Sequence, residues 1–206
     1  MKEVLRQAMS QTIPIAQDEW EAFEPYIFTK SIKKKENLIS EGQICTNISF
    51  ILRGSVRQYH LVDGEEKTTF FFFENNYACN YESFLTQQPS DVTIEAMEDC
   101  EVLYFSREVM YRLYRLYPKY ETMGRMIAEG VYMCAMERLK TFLLNSPEER
   151  YRRFLKNYDA AIILARVPQH YIASYLGITP VSLSRIRARI AKNVTHETNR
   201  TQKLVY

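Results

Sequence analysis

The stretch from Pro168 to Ile186 restricts the fold more tightly than any other part of this chain. It reads as two short helices joined by a tight turn. Ala173 is the small residue where the helices cross, and Gly177 supplies the positive φ the turn needs. Ile172, Leu176, Ile178, Leu183 and Ile186 are apolar at the spacings that face inward. The start of the second helix is written twice, by Thr179 as N-cap and by Pro180 in the first helical position. The pattern fits a helix-turn-helix. A bare helical hairpin without a nucleic-acid role is the other reading of the same residues.

Advancing about 100° per residue along the second helix collects Leu183, Ile186 and Ile190 in one narrow arc, which is the expected buried side. The opposite face holds Val181, Ser184, Arg185, Ala188 and Lys192, with Ser182 and Arg189 on the flank and Arg187 nearer the protein body. A helix docked in a major groove would turn that face toward base edges. Arg185 is the best base reader, because a planar guanidinium can donate two bonds to guanine O6 and N7. Ser184 offers a weaker polar contact and Val181 an apolar one to a thymine methyl. Arg187, Arg189 and Lys192 suit phosphates, as do Gln169 and the backbone opening the first helix. Thr179 and Ala188 complete the DNA-facing set. The competing reading of the arginines is a solvated charged surface.

Charge distribution favours a polyanionic partner. The formal net charge is only +2, but residues 138–206 hold 13 Lys or Arg against 4 Asp or Glu, while residues 1–137 hold 14 against 21. A tail at +9 behind a front at −7 suggests a basic module joined to an acidic one. With 46% hydrophobic and 25% charged residues, a disordered, collagenous or purely coiled-coil chain is excluded. A length of 206 residues allows one large domain or, better, two small ones. No run approaches the roughly 18 apolar residues of a membrane span, and Met1-Lys2-Glu3-Val4 opens no secretory segment. The expectation is a cytoplasmic protein without a membrane partner. Cys45, Cys79, Cys100 and Cys134 lack metal or redox spacing, and His60, His170 and His196 are scattered. Free, mostly buried thiols, no metal and no cofactor are expected.

The front of the chain reads as strands. After a short helix from Asp18 to Tyr26, apolar runs recur between Gly, Asn and Pro: Ile48–Leu52, Ser55–Val62, Thr68–Phe73, Val92–Met97 and Val102–Phe105. Asp63-Gly64 closes a hairpin. Such runs without intervening helices predict an antiparallel roll or barrel, with Phe70–Phe73 read as core in preference to a ligand box. Ser106 then caps a helix from Arg107 to Tyr117, and Pro118 restarts a long one from Lys119 to Asn145, about 40 Å at 1.5 Å per residue. Met123, Met126, Ile127, Met133 and Cys134 crowd more than one side of it, and Gly130 would admit close backbone approach. A homodimer seam fits that pattern, and an internal core helix is the alternative. Ser146, Pro147 and Glu149 write a capping box opening a helix to about Tyr158. The expected organisation is an effector domain over residues 1–117, a dimerisation helix over 118–145 and a helix-turn-helix domain over 146–206. The fold class is α+β.

This order of parts resembles the Crp/Fnr superfamily of bacterial transcription regulators across about Asp18 to Lys192. In the roll the likeness rests on Glu41-Gly42, on Phe50 to Arg57, on Asp63-Gly64 and on Cys100-Glu101-Val102, and in the tail on Tyr171 to Gly177. The resemblance implies a β-roll of the double-stranded β-helix type, a homodimer joined through the long helix, double-stranded DNA as partner, a small-molecule effector and contact with RNA polymerase. Members that bind cyclic AMP carry a glycine-glutamate-leucine cassette followed by an arginine-serine pair. Here the matching residues are Tyr81-Glu82-Ser83 and Ser90-Asp91, so arginine and glycine are both missing. Asp91 would repel the phosphate that the family pocket attracts. Cyclic nucleotide binding is therefore expected to be weak or absent, with Tyr77, Asn80, Tyr81 and Glu82 the pocket residues to watch. The family's usual arginine and glutamate base contacts fall on Pro180 and Val181, leaving Arg185. The tail from Asn193 to Tyr206 lacks a strand pair, which predicts a wingless module.

Three function classes follow. A dimeric, sequence-specific DNA-binding regulator leads. A ligand-binding module signalling through protein partners is the second. For an enzyme, no Ser/His/Asp grouping, phosphate-cradling glycine loop or histidine-carboxylate metal spacing can be assembled.

Overall fold

A computed structural model describes residues 1–157 and 159–202, with side chains placed up to Lys192. The chain forms two compact units, Met1–Met136 and Glu137–Tyr206. That division falls where the charge changes sign. Tyr158 and residues 203–206, to which the helix end near Tyr158 and part of the tail reading refer, lie outside the described residues.

The first unit opens with α1 (Lys2–Ser10) and α2 (Gln17–Phe23), and a 3₁₀ turn at Glu24–Tyr26 follows. The strands are β1 (Phe28–Ile32), β2 (Asn37–Ile39), β3 (Asn47–Arg53), β4 (Val56–Val62), β5 (Glu65–Phe72), β6 (Tyr77–Ala78), β7 (Thr93–Ala96) and β8 (Cys100–Ser106). A short helix α3 (Tyr81–Thr86) interrupts them, and α4 (Arg107–Leu116) leads into α5 (Pro118–Leu144). Two four-stranded antiparallel sheets result, ordered β1-β8-β3-β6 and β2-β7-β4-β5. The β4–β5 hairpin turns on Asp63 and Gly64 at φ 51° and 78°, the left-handed pair that lets a two-residue loop follow strand twist. Phe50, Ile51, Val56, Ile94, Val102 and Leu103 are buried in the roll, and Leu5, Trp20 and Phe23 from the leading helices join the same core. Each fully buried side chain of this kind contributes about 1.5–3 kcal/mol.

Three differences from the sequence reading matter. First, a helix does intervene among the strands: α3 forms because Asn80 caps it, accepting from the Ser83 amide, and because Phe84 anchors it in the core. Second, β1, β2 and β6 had no expected counterpart. Two of them are very short, and β1 is an edge strand with only Ile32 buried, so its sequence carries little apolar alternation. Third, the Phe70–Phe73 run is not simply core. Phe73 alone is buried; Phe70 and Phe72 are half-buried on one face of β5, their ring centroids 6.0 Å apart.

The second unit contains the end of α5 and α6 (Pro147–Phe154), α7 (Ala160–Arg166), α8 (Gln169–Tyr175) and α9 (Pro180–Gln202). Ser146 and Glu149 complete the capping box of α6. Tyr151, Phe154, Ile163, Ile172, Leu183 and Ile186 form its core. Among the described residues no helix is long and apolar enough to cross a membrane.

Candidate functional site

The α8–α9 pair is fixed by local chemistry. Gly177 sits at φ 64°, its amide donates to Ser174 O at 2.9 Å, and the Ile178 amide donates to Ala173 O at 3.0 Å. These two bonds are a Schellman ending, which satisfies orphan carbonyls and requires a left-handed residue at the glycine. A Cβ there would lie 2.6 Å from a Phe142 ring carbon and 3.0 Å from Arg150 Nη1, so space as well as φ demands glycine. Thr179 Oγ1 accepts from the Ser182 amide at 3.2 Å, capping α9.

On α9, Leu183 and Ile186 are buried, whereas Val181, Ser184, Arg185, Ala188, Arg189 and Lys192 are exposed and Ser182 is half-buried. Among the described residues Arg185 has no hydrogen bond or ion pair. Arg187 instead donates to Gln169 Oε1 on α8, tying the two helices together. Arg189 lies 2.9 Å from Glu148 Oε2, and Arg152 reaches the other oxygen of the same carboxylate at 3.0 Å. The Thr179 hydroxyl is engaged in the cap. The surface is therefore basic: among the described residues of α9, Arg185 is unengaged, and Arg187 and Arg189 are held by partners that water or phosphate can replace.

The first unit holds a cavity of about 600 Å³ lined chiefly by β5, α3, α4 and the first half of α5, with single residues from α1, α2, β3, β4, β6 and β8. Tyr77, Asn80, Tyr81 and Glu82 line it; Ser83, Ser90 and Asp91 do not. Ser83 lies within α3 and Ser90 and Asp91 in the segment that follows it, and all three support the wall. Ser83 Oγ accepts from the Cys45 amide and donates to Gln88 O. Asn80 Nδ2 donates to Ser90 Oγ at 2.8 Å and Asp91 Oδ1 at 3.1 Å, and His60 Nδ1 lies 3.1 Å from Asp91 O. The sequence reading missed Phe70, Phe72 and Gly124 as lining residues. The alternation of Phe70 and Phe72 on one strand face was the available signal. At Gly124 a Cβ would fall 2.0 Å from the Tyr114 hydroxyl, so the glycine lets that tyrosine approach α5.

The residues read as a dimer seam separate into two sets. Met123 packs on the roll core and, with Ile127, lines the cavity, while Met126, Met133 and Cys134, and also Ile127 at 37%, are exposed. Around Gly130 a Cβ would meet nothing within 4 Å, so this chain alone makes no use of the glycine there. Of the four thiols, Cys45 and Cys100 are buried, Cys79 is half-buried and Cys134 exposed. Among the described residues no three His, Cys, Asp or Glu side chains are grouped to hold a metal.

A roll with a cavity beneath a long helix, in a chain ending in a helix-turn-helix-like pair, defines the class of protein to compare. Residues 29–117 match the cyclic nucleotide-binding domain family. The chain is similar in structure to FixK2 from Bradyrhizobium japonicum, at 18% identity and TM-score 0.71, covering 81% of this chain and 85% of that one. It is also similar to a CooA mutant from Carboxydothermus hydrogenoformans, at 16% identity and TM-score 0.66, covering 82% and 78%. The c-di-GMP-responsive global regulator CLP of Xanthomonas campestris matches at 14% identity and TM-score 0.65, covering 86% and 93%. These neighbours are Crp/Fnr-type transcription regulators, and at such identities the likeness establishes the fold. No curated protein matches the sequence significantly.

Proposed function

We propose that this chain is a sequence-specific, DNA-binding transcription regulator of the Crp/Fnr type, acting as a homodimer. In this reading residues 1–117 form the effector domain, residues 118–145 the dimerisation helix and residues 146–206 a wingless DNA-binding domain. The observation that carries it is the α8–α9 pair: Leu183 and Ile186 of its apolar arc are buried and Ile190 is half-buried, and its opposite face offers Val181, Ser184, Arg185, Ala188 and Lys192 to solvent. Arg185 reads a base, and Arg187, Arg189, Lys192 and Gln169 hold phosphates. Met126, Gly130, Met133 and Cys134 meet a second copy along α5. The fold shared with FixK2 and CLP supports the assignment.

Selection from a random double-stranded DNA pool tests it. The expected outcome is a two-part motif with half-sites about one helical turn apart, bound with a steep salt dependence. Arg185→Ala should cost about 1–3 kcal/mol on the preferred site and flatten discrimination at one position of each half-site. An Arg185→Ala protein with unaltered relative preferences would remove its base-reading role. Failure to enrich any sequence, with binding indifferent to salt, would favour a module that signals through protein partners.

A further inference from the structure

We infer that the cavity in the first unit binds an uncharged lipophilic small molecule, in place of a cyclic phosphate. The inference rests on the regulator reading above and names the class of effector for its first unit. Size permits a small-molecule ligand: about 600 Å³ lies within the range of sites that enclose one. The chemistry of the wall then selects which.

Among the described residues Glu82 is the one charged group on that wall, and it is an anion. No lysine or arginine lines the space, so a phosphate would be desolvated there with nothing to neutralise it. The buried guanidinium of the roll, Arg57, is not on the wall and is held by Glu66 and Glu95. The polar groups at the cassette end are also engaged. Asn80 is held by the Ser83 amide, Ser90 and Asp91, and the Thr86 hydroxyl donates to Glu82 O.

Gln58, the other polar amide on the wall, donates its Nε2 to Thr69 Oγ1 at 3.1 Å. Beyond it and the tyrosine hydroxyls, what remains is apolar and aromatic. Phe70 and Phe72 present stacked rings from one side, and Ile127 and Ala128 close the other from α5. Aromatic faces at this spacing accept a flat or aliphatic guest by offset stacking and dispersion. The tyrosine hydroxyls do not add charge: burial pushes Tyr77, Tyr114 and Tyr120 up to about 12, and the Cys79 thiol likewise. Tyr120, on the same wall, carries a buried hydroxyl without a hydrogen-bond partner. An apolar guest with at most one polar atom matches this inventory.

The test titrates the full chain with N-phenyl-1-naphthylamine, a neutral lipophilic fluorophore, and adds cyclic AMP as competitor. Saturable binding of about one probe per chain is expected, undisturbed by millimolar cyclic AMP, and weakened roughly 10-fold or more by Ala128→Trp, which fills the space. Circular dichroism and melting verify that this variant folds. Glu82→Gln supplies a second readout: it should tighten probe binding, because it removes the wall's charge from beside a neutral guest, and weaker binding by this variant would overturn the inference. Absence of saturable binding, equal binding by a folded Ala128→Trp protein, or displacement by micromolar cyclic AMP would each overturn the inference. So would loss of probe binding as the chain self-associates, because a second copy would then occupy the cavity. DNA binding by the same preparation is read separately. Probe failure with DNA binding intact rejects the ligand class alone, and the converse rejects the regulator reading alone.

Discussion

The two units contain charge clusters that are mirror images. In the roll one guanidinium is divided between two carboxylates: Arg57 donates to Glu95 at 3.0 and 3.1 Å and also to Glu66, and it is 0% exposed. In the helical unit one carboxylate is divided between two guanidiniums: Glu148 meets Arg152 and Arg189, and the Arg189 side chain is 63% exposed. Geometry is similar, but solvent differs. A buried ion cannot exchange its partner for water, so the roll cluster is dedicated to structure. An exposed ion can trade a carboxylate for water or phosphate at little cost, so the helical cluster is available for binding. The acidic unit thus hides its cation and the basic unit displays its own.

The largest effect that would break this contrast is on stability. Arg57→Met should lower the unfolding free energy by about 3 kcal/mol, because Glu95 would stay buried with only the exposed Lys35, 3.2 Å away, as its cation. Replacing both members, Arg57→Met with Glu95→Leu, should recover most of the loss. Urea unfolding monitored by the roll's tryptophan, Trp20, measures both. A loss below about 1 kcal/mol for the single variant would place this pair in the class of exposed bridges.

Legibility in the sequence follows the range of the interactions involved. The α8–α9 pair is written in neighbours: Ala173, Gly177, Thr179 and Pro180 act within a few residues of one another, and the burial of Leu183 and Ile186 follows from periodicity alone, although Ile190 on the same arc is only half-buried. Strands β3, β4 and β8 announce themselves by apolar runs, and the Asp63-Gly64 turn by its residues. The edge strand β1 and the two-residue β6 carry no such pattern, because hydrogen bonds to distant strands define them. The cavity was the least legible feature. Its walls come from as far apart as Met9 and Val131, so no window of sequence contains it. Tyr77, Asn80, Tyr81 and Glu82 were reached through family resemblance. That route also nominated Ser83, Ser90 and Asp91, which brace the wall from behind. Likewise α5 was read as one seam, although Met123 and Ile127 face the roll and Met126 and Met133 do not. A helix apolar on two sides shows that two surfaces are served without telling which residue serves which.

A smaller effect sharpens the contrast at the exposed cluster. If Arg189 exchanges Glu148 for a DNA phosphate, Glu148→Gln should strengthen binding to all sequences about 2- to 5-fold, since the competing carboxylate is gone. Arg189→Ala should weaken all sequences alike and reduce the salt slope by about 1. Fluorescence anisotropy across a salt series on specific and scrambled duplexes measures both. Equal affinities for wild type and Glu148→Gln would mean that the bridge does not compete with DNA.

The smallest effect is a proton. A hydrogen bond from Arg152, and after it one from Arg189, hold the Glu148 carboxyl below its ordinary 4.5. A depressed carboxyl contributes stability above its unfolded value and loses that contribution as pH falls through the lower folded value. Its window therefore lies below 4.5, where the exposed bridge should open while neutral-pH stability is unaffected. Arg189→Ala should raise the Glu148 value part of the way toward 4.5, Arg152 retaining the rest. Operator DNA added to the unaltered chain should move it in the same direction, because Arg189 leaves for phosphate. Carbon-detected NMR titration of the glutamate carboxyls reads each shift. If the alanine variant moved Glu148 and DNA did not, Arg189 would remain on its carboxylate in the complex, and the exposed cluster would serve structure no less than the buried one does.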